Sequence, residues 1–282
     1  MHKYRKTDVE RLALGVIKYG LSLLLMMIVL FPLLWLFCGS IKPEKEILSY
    51  PPTLFGSKIS YKSFARIFRN IPMAVYLKNT LIFAGFSTAF AVLFDAMSGY
   101  AFARLRFKGK NVIFVIVLLT MMVPYQVMMI PLFLESHFMG LLNTYPGLIL
   151  PKVTTAFGIF MMRSYFAALP KELEEAARVD GLNEIGIFFR IMLPLVKPGV
   201  MTLGIFHLMN NWNDLLYPLM MTSDTKMRTL SAGLALFVGE RATTYYGPQL
   251  AGAVISITPL LMLYIFFQKY FVNSVVSSGI KG

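Results

Sequence analysis

Charge is scarce in this chain. Of 282 residues, 15% are charged and 57% are hydrophobic. A soluble domain carries about 25% charged residues, so the apolar surplus excludes an ordinary soluble globule and calls for a bilayer. Cysteine is nearly absent. The single Cys38 excludes an intrachain disulfide, supports no thiol–metal cluster, and reads as an inert thiol near a helix end. No nucleophile–base set and no metal-ligand spacing occurs, so no catalytic and no metal residue is assigned. The glycines never fall in a Gly-x-x-x-x-Gly-Lys-Ser/Thr frame, which excludes a phosphate-binding loop. Internal repeats and low-complexity segments are missing as well.

What is present is length in apolar runs. Six candidate spans stand out at 14–37, 78–101, 111–133, 146–166, 199–220 and 250–270. All are expected to be helices, because open backbone in lipid leaves its polar groups unpaired. The basic start (Lys3, Arg5, Lys6, Arg11) leads into an apolar run to Phe37. That run is too long for a signal-peptide core and lacks a small-residue cleavage site, so it reads as an uncleaved first span. The expected organisation is a cytoplasmic tail 1–13, a first transmembrane helix 14–37, an extracytoplasmic loop 38–77, a core of five transmembrane helices over 78–270 with a cytoplasmic loop 170–198, and a cytoplasmic tail 271–282. Net charge is +13. The basic residues sit at the feet of the apolar runs and form no single face, which argues against nucleic acid as a partner. The short loop with Arg104, Arg106, Lys108 and Lys110 and no acid places both termini on the cytoplasmic side. The loop 38–77 runs against this with six basic residues, but its length weakens the rule. Pro124, Pro131, Pro146 and Pro151 mark kinked, broken or simply ending helices near the outer surface.

The segment 170–198 has a readable grammar. Pro170 suits a helix start, and Glu172, Glu174 and Glu175 suit the positive end of the helix dipole. Glu174 and Arg178 are four apart and can pair. Ala176 and Ala177 keep one side thin, and Gly181 is placed to end the helix in a left-handed conformation. A second short helix is expected from Asn183, as N-cap, to Ile191, broken at Leu193-Pro194, with Pro198 opening the next span. By this grammar alone the segment is also an ordinary capped surface helix.

Glu175-Ala176-Ala177, then Asp180-Gly181 and, after nine intervening residues, Ile191-x-Leu193-Pro194, resembles the "EAA" signature of ABC-importer permeases. Further stretches resemble the carbohydrate, MalG-like branch of that family: Gly99 to Phe107, Pro124 to Val127, Ile130 to Phe133, Gly140 to Pro151, Asn211 to Leu219, and the tail Ser278 to Gly282. Asp95 and Lys152 depart from the pattern, which has uncharged residues at those places. The resemblance implies an all-α membrane protein with six transmembrane helices in the ABC-importer (MetI-like) permease fold. It implies no cofactor of its own, ATP being bound by the partner ATPase. Its partners would be a second homologous permease (MalF-like), a cytoplasmic ABC ATPase dimer, an extracytoplasmic solute-binding protein, the sugar and the bilayer. Glu175, Ala176, Ala177, Asp180, Gly181, Leu193 and Pro194 would couple to the ATPase. Ser278, Gly279, Lys281 and Gly282 would reach its interface, with Ser277-Ser278-Gly279 as a flexible, strand-like end. The place implied is the bacterial cytoplasmic membrane. Alternatives are an ABC permease for a non-sugar solute and, less well supported, an ion-coupled secondary transporter.

Ionisable groups within spans are expensive, on the order of 3 kcal/mol each, and face a cavity, a partner or the interface. Asp95 is expected to pair with a basic residue such as Arg104. Lys152 either snorkels outward or lines a polar outer cavity. His207 reads as a hydrogen-bonded packing residue. Asn210, Asn211, Trp212, Asn213 and Asp214, with Lys152, form a candidate substrate path. Amides and a carboxylate bond sugar hydroxyls and an aromatic face covers the ring's C–H groups, but such a cluster equally joins helices in a membrane.

Overall fold

The computed structural model describes residues 8–241 and 245–279. Lys281 and Gly282 lie outside the described residues. Every regular element among those described is helical. In chain order these are α1 (Asp8–Ser40), α2 (Glu44–Ile47), α3 (Lys62–Asn70), α4 (Met73–Arg104), α5 (Lys110–Thr120), α6 (Tyr125–Phe138), α7 (Tyr145–Ile149), α8 (Ala156–Ala167), α9 (Glu172–Val179), α10 (Glu184–Ile187), α11 (Leu193–Leu195), α12 (Lys197–Asn213), α13 (Leu216–Met221), α14 (Leu230–Arg241) and α15 (Tyr246–Gly279). A 3₁₀ turn (Leu150–Lys152) follows α7, and a π-helical segment (Phe188–Met192) joins α10 to α11.

Three described helices are each long and apolar enough to cross a bilayer: Gly15–Ser40, Met73–Arg104 and Tyr246–Phe266. Two bent pairs qualify when each is taken together: α5 with α6, bent by 98°, and Glu184–Leu195 with α12, bent by 82°. Prolines account for much of the breaking. Pro124 stands at the N-cap of α6, and Pro146 and Pro151 open the short α7 and the 3₁₀ turn. A ring that lacks an N–H and fixes φ cannot continue the preceding turn. The expected 146–166 span is therefore delivered in three pieces, and Thr155 restarts it by accepting a 3.0 Å bond from the Gly158 N–H as N-cap of α8. At the other end, α15 stays helical through Ser278 and Gly279, which corrects the expected strand-like end there.

The described residues divide into two compact units, one within Met1–Asn70 and Glu240–Ile257, the other within Ile71–Gly239 and Thr258–Gly282. In the first, α1 presents an apolar window with none of its residues buried. The Glu44 carboxylate caps the start of α15, accepting from the Tyr246 N–H at 2.6 Å and the Gly247 N–H at 3.1 Å. Arg66 stacks 3.8 Å over the Tyr245 ring. Lys42, 3% exposed, donates to the Thr53 carbonyl and lies 5.1 Å from the Trp35 ring centroid. Glu46 accepts from the Ser57 N–H at 2.7 Å and the Ser57 hydroxyl at 2.5 Å, and these bonds hold its carboxyl below the usual range.

In the second unit, α4 packs lengthwise on α8 and α12. The approach is close at Gly99, where a Cβ would stand 2.6 Å from Met162 Cβ and 2.7 Å from the Arg163 nitrogen. Small residues at such crossings let helix backbones meet, which is how association proceeds where lipid is as apolar as the side chains. One core cluster joins Ala96, Tyr100, Met162 and Phe166 to Ala177, Ile187, Phe188 and Met192. The polar 170–198 loop is thus seated on the ends of α4 and α8 by its own apolar side chains, of which Ile187, Phe188 and Met192 are each worth about 1.5–3 kcal/mol when withdrawn from water. At the opposite end of α4, Asn79 donates to the Lys226 and Arg228 carbonyls at 2.8 and 2.9 Å and accepts from the Tyr145 hydroxyl at 2.7 Å.

Candidate functional site

The 170–198 loop is built largely as its sequence requires. α9 ends at Val179 with Asp180 as its C-cap, and Gly181 follows at φ 83°. The Leu182 N–H bonds the Ala177 carbonyl and the Gly181 N–H bonds the Arg178 carbonyl, both at 3.0 Å, which closes the helix with the paired bonds of a Schellman motif. Asn183 then caps α10, its side chain accepting from the Gly186 N–H at 2.8 Å. Glu175, Ala176 and Asp180 are exposed. Ala177 is 4% exposed and lies inside the core cluster, so it faces inward and is not part of the thin outer side expected of it. The helical run also passes through Leu193-Pro194 and bends after Leu195, at Val196, because α11 takes Pro194 in its first turn.

Beneath the exposed face runs an ionic network. Glu174 lies 3.9 Å from Arg178, the four-residue pair read from the sequence. It also lies 3.4 Å from Arg104, with only 6% and 4% of the two side chains exposed. Arg178 donates to Glu184 at 2.9 Å, and the Tyr100 hydroxyl donates to the other Glu184 oxygen at 3.0 Å. Burial pushes the Glu174 carboxyl above its usual range, against the pull of Arg104 and Arg178. The groove of about 630 Å³ alongside is lined by Arg106, Lys110, Lys171 and Glu175 together with Arg104, Glu174, Arg178 and Glu184. Neither the Arg104–Glu174 pair nor the Tyr100–Glu184 bond was legible in the sequence, since the partners of the bond lie 84 residues apart and those of the pair stand on different helices, α4 and α9.

A second feature is a cavity of about 460 Å³ between α6, α8 and α12. Asn210, Asn211, Asn213, Asp214 and Lys152 line it, joined by Tyr125, Gln126, Thr155, Phe157, Phe206 and His207. Trp212 does not line it. That side chain is 4% exposed and turned into the protein, while its carbonyl accepts from Ser231 at 3.1 Å. Consecutive helical positions point about 100° apart, so one face cannot hold all five of residues 210–214. Lys152 pairs with Asp214 at 2.7 Å and lies 4.5 and 4.9 Å from the Tyr125 and Tyr217 ring centroids. It lines the cavity and does not snorkel. Asn210 and Asn213 donate their amide N–H groups to the carbonyls four residues back, at 3.0 and 2.9 Å.

Behind Thr155 and His207, which line the cavity, stands Asp95, fully buried. It does not pair with Arg104, contrary to the expectation from the sequence. It accepts from the Thr154 hydroxyl at 2.7 Å, the Thr155 N–H at 2.8 Å and the Thr155 hydroxyl at 3.0 Å, and it meets His207 Nε2 at 3.0 Å. Asp95 thereby joins α4 to the head of α8 and to α12. His207 has the hydrogen-bonded packing role read for it. Groups of three or more His, Cys, Asp or Glu side chains able to hold a metal are not found among the described residues.

Comparison with known proteins places this geometry. The chain is 38% identical to the arabinooligosaccharides transport system permease protein AraQ of Bacillus subtilis, covering 98% of this chain and 97% of that one. It is 33% identical to the sulfoquinovosyl glycerol transport system permease protein SmoH of Agrobacterium fabrum, over 90% and 89% of the two chains. A crystal structure of a bacterial ABC transporter involved in the import of the acidic polysaccharide alginate superposes with a TM-score of 0.81 at 26% identity, over 95% of this chain and all of that one. The all-α permease fold expected from the motif at Glu175–Gly181 is borne out. Residues 96–277 match the family described as the inner membrane component of binding-protein-dependent transport systems, and this chain belongs to that family.

Proposed function

We propose that this chain is the permease subunit of an ATP-driven importer for a carbohydrate, an oligosaccharide or a related sugar. The relatives' substrates, arabino-oligosaccharides, a sulfoquinovosyl glycerol and alginate, are all carbohydrates. The observation that carries the coupling role is the exposed Glu175–Ala176 edge of a helix that is itself seated on the end of α4. Such an edge is free to be gripped while its back is held. In this reading the ATP-hydrolysing subunits are separate chains in the cytoplasm, and both termini of this chain lie on the same side as they do. A second, homologous permease completes the pathway, and an extracytoplasmic binding protein delivers the sugar.

The transport step is alternating access. Closure of the ATPase dimer carries α9 and α10 with it, and α4, α8 and α12 re-orient the cavity. Glu175 is the charged contact, Asp180 borders it, and Gly181 sets the bend into Asn183. Leu193 and Pro194 shape the return into α12. Asn210, Asn211, Asn213, Asp214 and Lys152 wall the sugar path; the buried Trp212 supports that wall from behind. Ser278 and Gly279, with Lys281 and Gly282 beyond them, approach the ATPase.

The experiment is uptake into proteoliposomes holding the permease pair and ATPase, with the cognate binding protein outside and radiolabelled neutral and acidic oligosaccharides offered in turn. Uptake that needs ATP on the ATPase side and survives a protonophore supports the proposal. Accumulation driven by an ion gradient without ATP, or a binding protein that takes only peptides or inorganic ions, overturns it.

A further inference from the structure

We propose that Arg104 is a positioning residue for transport, holding the 170–198 loop in register with α4 so that movement of the loop reaches the cavity. The proposal rests on the coupling role given to Glu175. Tyr100 and Arg104 are four residues apart and share one face of the last turns of α4. Arg104 takes the first half of the loop, through Glu174 at 3.4 Å. It also donates to the Leu169 carbonyl, where the chain leaves α8 for the loop. Tyr100 takes the second half, through Glu184 at 3.0 Å. Arg178 bridges the two acids. The loop is therefore fastened to α4 by two hydrogen bonds, Arg104 to the Leu169 carbonyl at its start and Tyr100 to Glu184 in its second helix, and by the buried Arg104–Glu174 ion pair, whose closest atoms make no hydrogen bond.

The apolar seat under the loop does not supply this by itself. Apolar contact is non-directional; it opposes lifting the loop off α4 but does little to stop it sliding. A charged pair with its geometry fixed by burial resists sliding. Buried pairs contribute little net stability against an apolar replacement, and fixing geometry is the better-attested use for them. The neighbouring Glu175 remains exposed, so clamp and docking contact are separate residues on one helix. From Arg104, α4 runs back nine residues, about 13 Å at 1.5 Å per residue, to Asp95, which bonds the cavity-lining Thr155 and His207 from behind. One rigid helix thus touches the loop at one point and the cavity wall at another.

The test uses the assembled complex with its ATPase, Cys38→Ser, and spin labels at two exposed positions, Val179 on α9 and Met97 on α4. Their separation is measured without nucleotide and with ATP trapped by vanadate. In the parent the separation stays single and unchanged by nucleotide. In Arg104→Ala it shifts or broadens on ATP binding, and Glu174→Gln, which keeps the side-chain shape, does the same. A parent separation that itself shifts with ATP overturns the proposal, as does an Arg104→Ala or Glu174→Gln separation that stays fixed. Failure of the parent to hold an ATPase at all is a different result, and it removes the coupling reading beneath.

Discussion

Replacing Asp95 by asparagine isolates the energy of the buried bonds that join α4 to α8 and α12 behind the cavity. The carboxylate receives two donors on Oδ1, from Thr154 and the Thr155 N–H, and one on Oδ2, from the Thr155 hydroxyl, with His207 beside it. Bonds to a charged acceptor contribute about 1.5–3 kcal/mol and neutral ones about 0.5–1.5 kcal/mol. If the amide oxygen takes the Oδ1 position, two bonds weaken by about 1 kcal/mol each. The amide nitrogen then points a donor at His207 Nε2 and at a Thr155 hydroxyl that already accepts from Gly158. Turning both round adds about 1 kcal/mol or more. The sum is about 3 kcal/mol, which lowers the unfolding midpoint of a chain this size by roughly 6–12 °C. Asp95→Glu fails for another reason. A Cβ on Gly158 would meet Oδ2 at 1.8 Å, so no room exists for one more methylene. The assay is tryptophan-fluorescence melting of the detergent-solubilised complex. The opposing effect is desolvation of the buried carboxylate. If that outweighs its bonds, asparagine leaves the midpoint unchanged or raises it, and the reasoning is refuted.

Gly181→Asp places a side chain at φ 83°, which costs about 1–2 kcal/mol, and adds negative charge near Glu175. The protein is expected to stay in the membrane while ATPase co-purification and uptake fall together; intact co-purification with full uptake would contradict the docking role. Lys152→Met with Asp214→Asn, measured as a double-mutant cycle on melting, is expected to give a favourable coupling of about 1–3 kcal/mol, because the pair is largely withdrawn from water; a coupling near zero would show the pair to be incidental. Glu46 has its carboxyl depressed by Ser57, so its contribution is present above the ordinary glutamate range near 4.3 and is lost as pH falls through the lower folded value. Amide exchange of Ser57 is expected to quicken on acidification beyond the intrinsic change, and Glu46→Gln to abolish that extra step.

Local grammar was readable wherever its cause lies within a few residues. Gly181 stops α9 and Asn183 starts α10, because a left-handed φ and an N-cap oxygen are requirements of the adjacent backbone. The Glu174–Arg178 pair follows from helical spacing alone. The prolines at 124, 146 and 151 announced broken helices, since a missing N–H and a fixed φ are properties of the residue itself. The motif at Glu175–Gly181 was enough to indicate the family.

What stayed hidden depended on which faces meet. Asp95 chose threonines 59 and 60 residues away and a histidine 112 away over a basic residue nine away on its own helix. Positions nine apart on a helix are two and a half turns apart, so they point to opposite faces and stand about 13 Å apart along the axis, too far to bond. Ala177 and Trp212 looked available in one dimension and are buried in three, because helix rotation is set by the neighbour each helix packs on. The sequence by itself determined that the chain enters a bilayer, where α9 stops and α10 starts, and which loop carries the family's motif, since composition, backbone rules and a contiguous motif are all local. Only tertiary structure decided how that loop is fastened to α4 and which polar groups share the cavity, because directional bonds between charges distant along the chain exist only once the helices are packed.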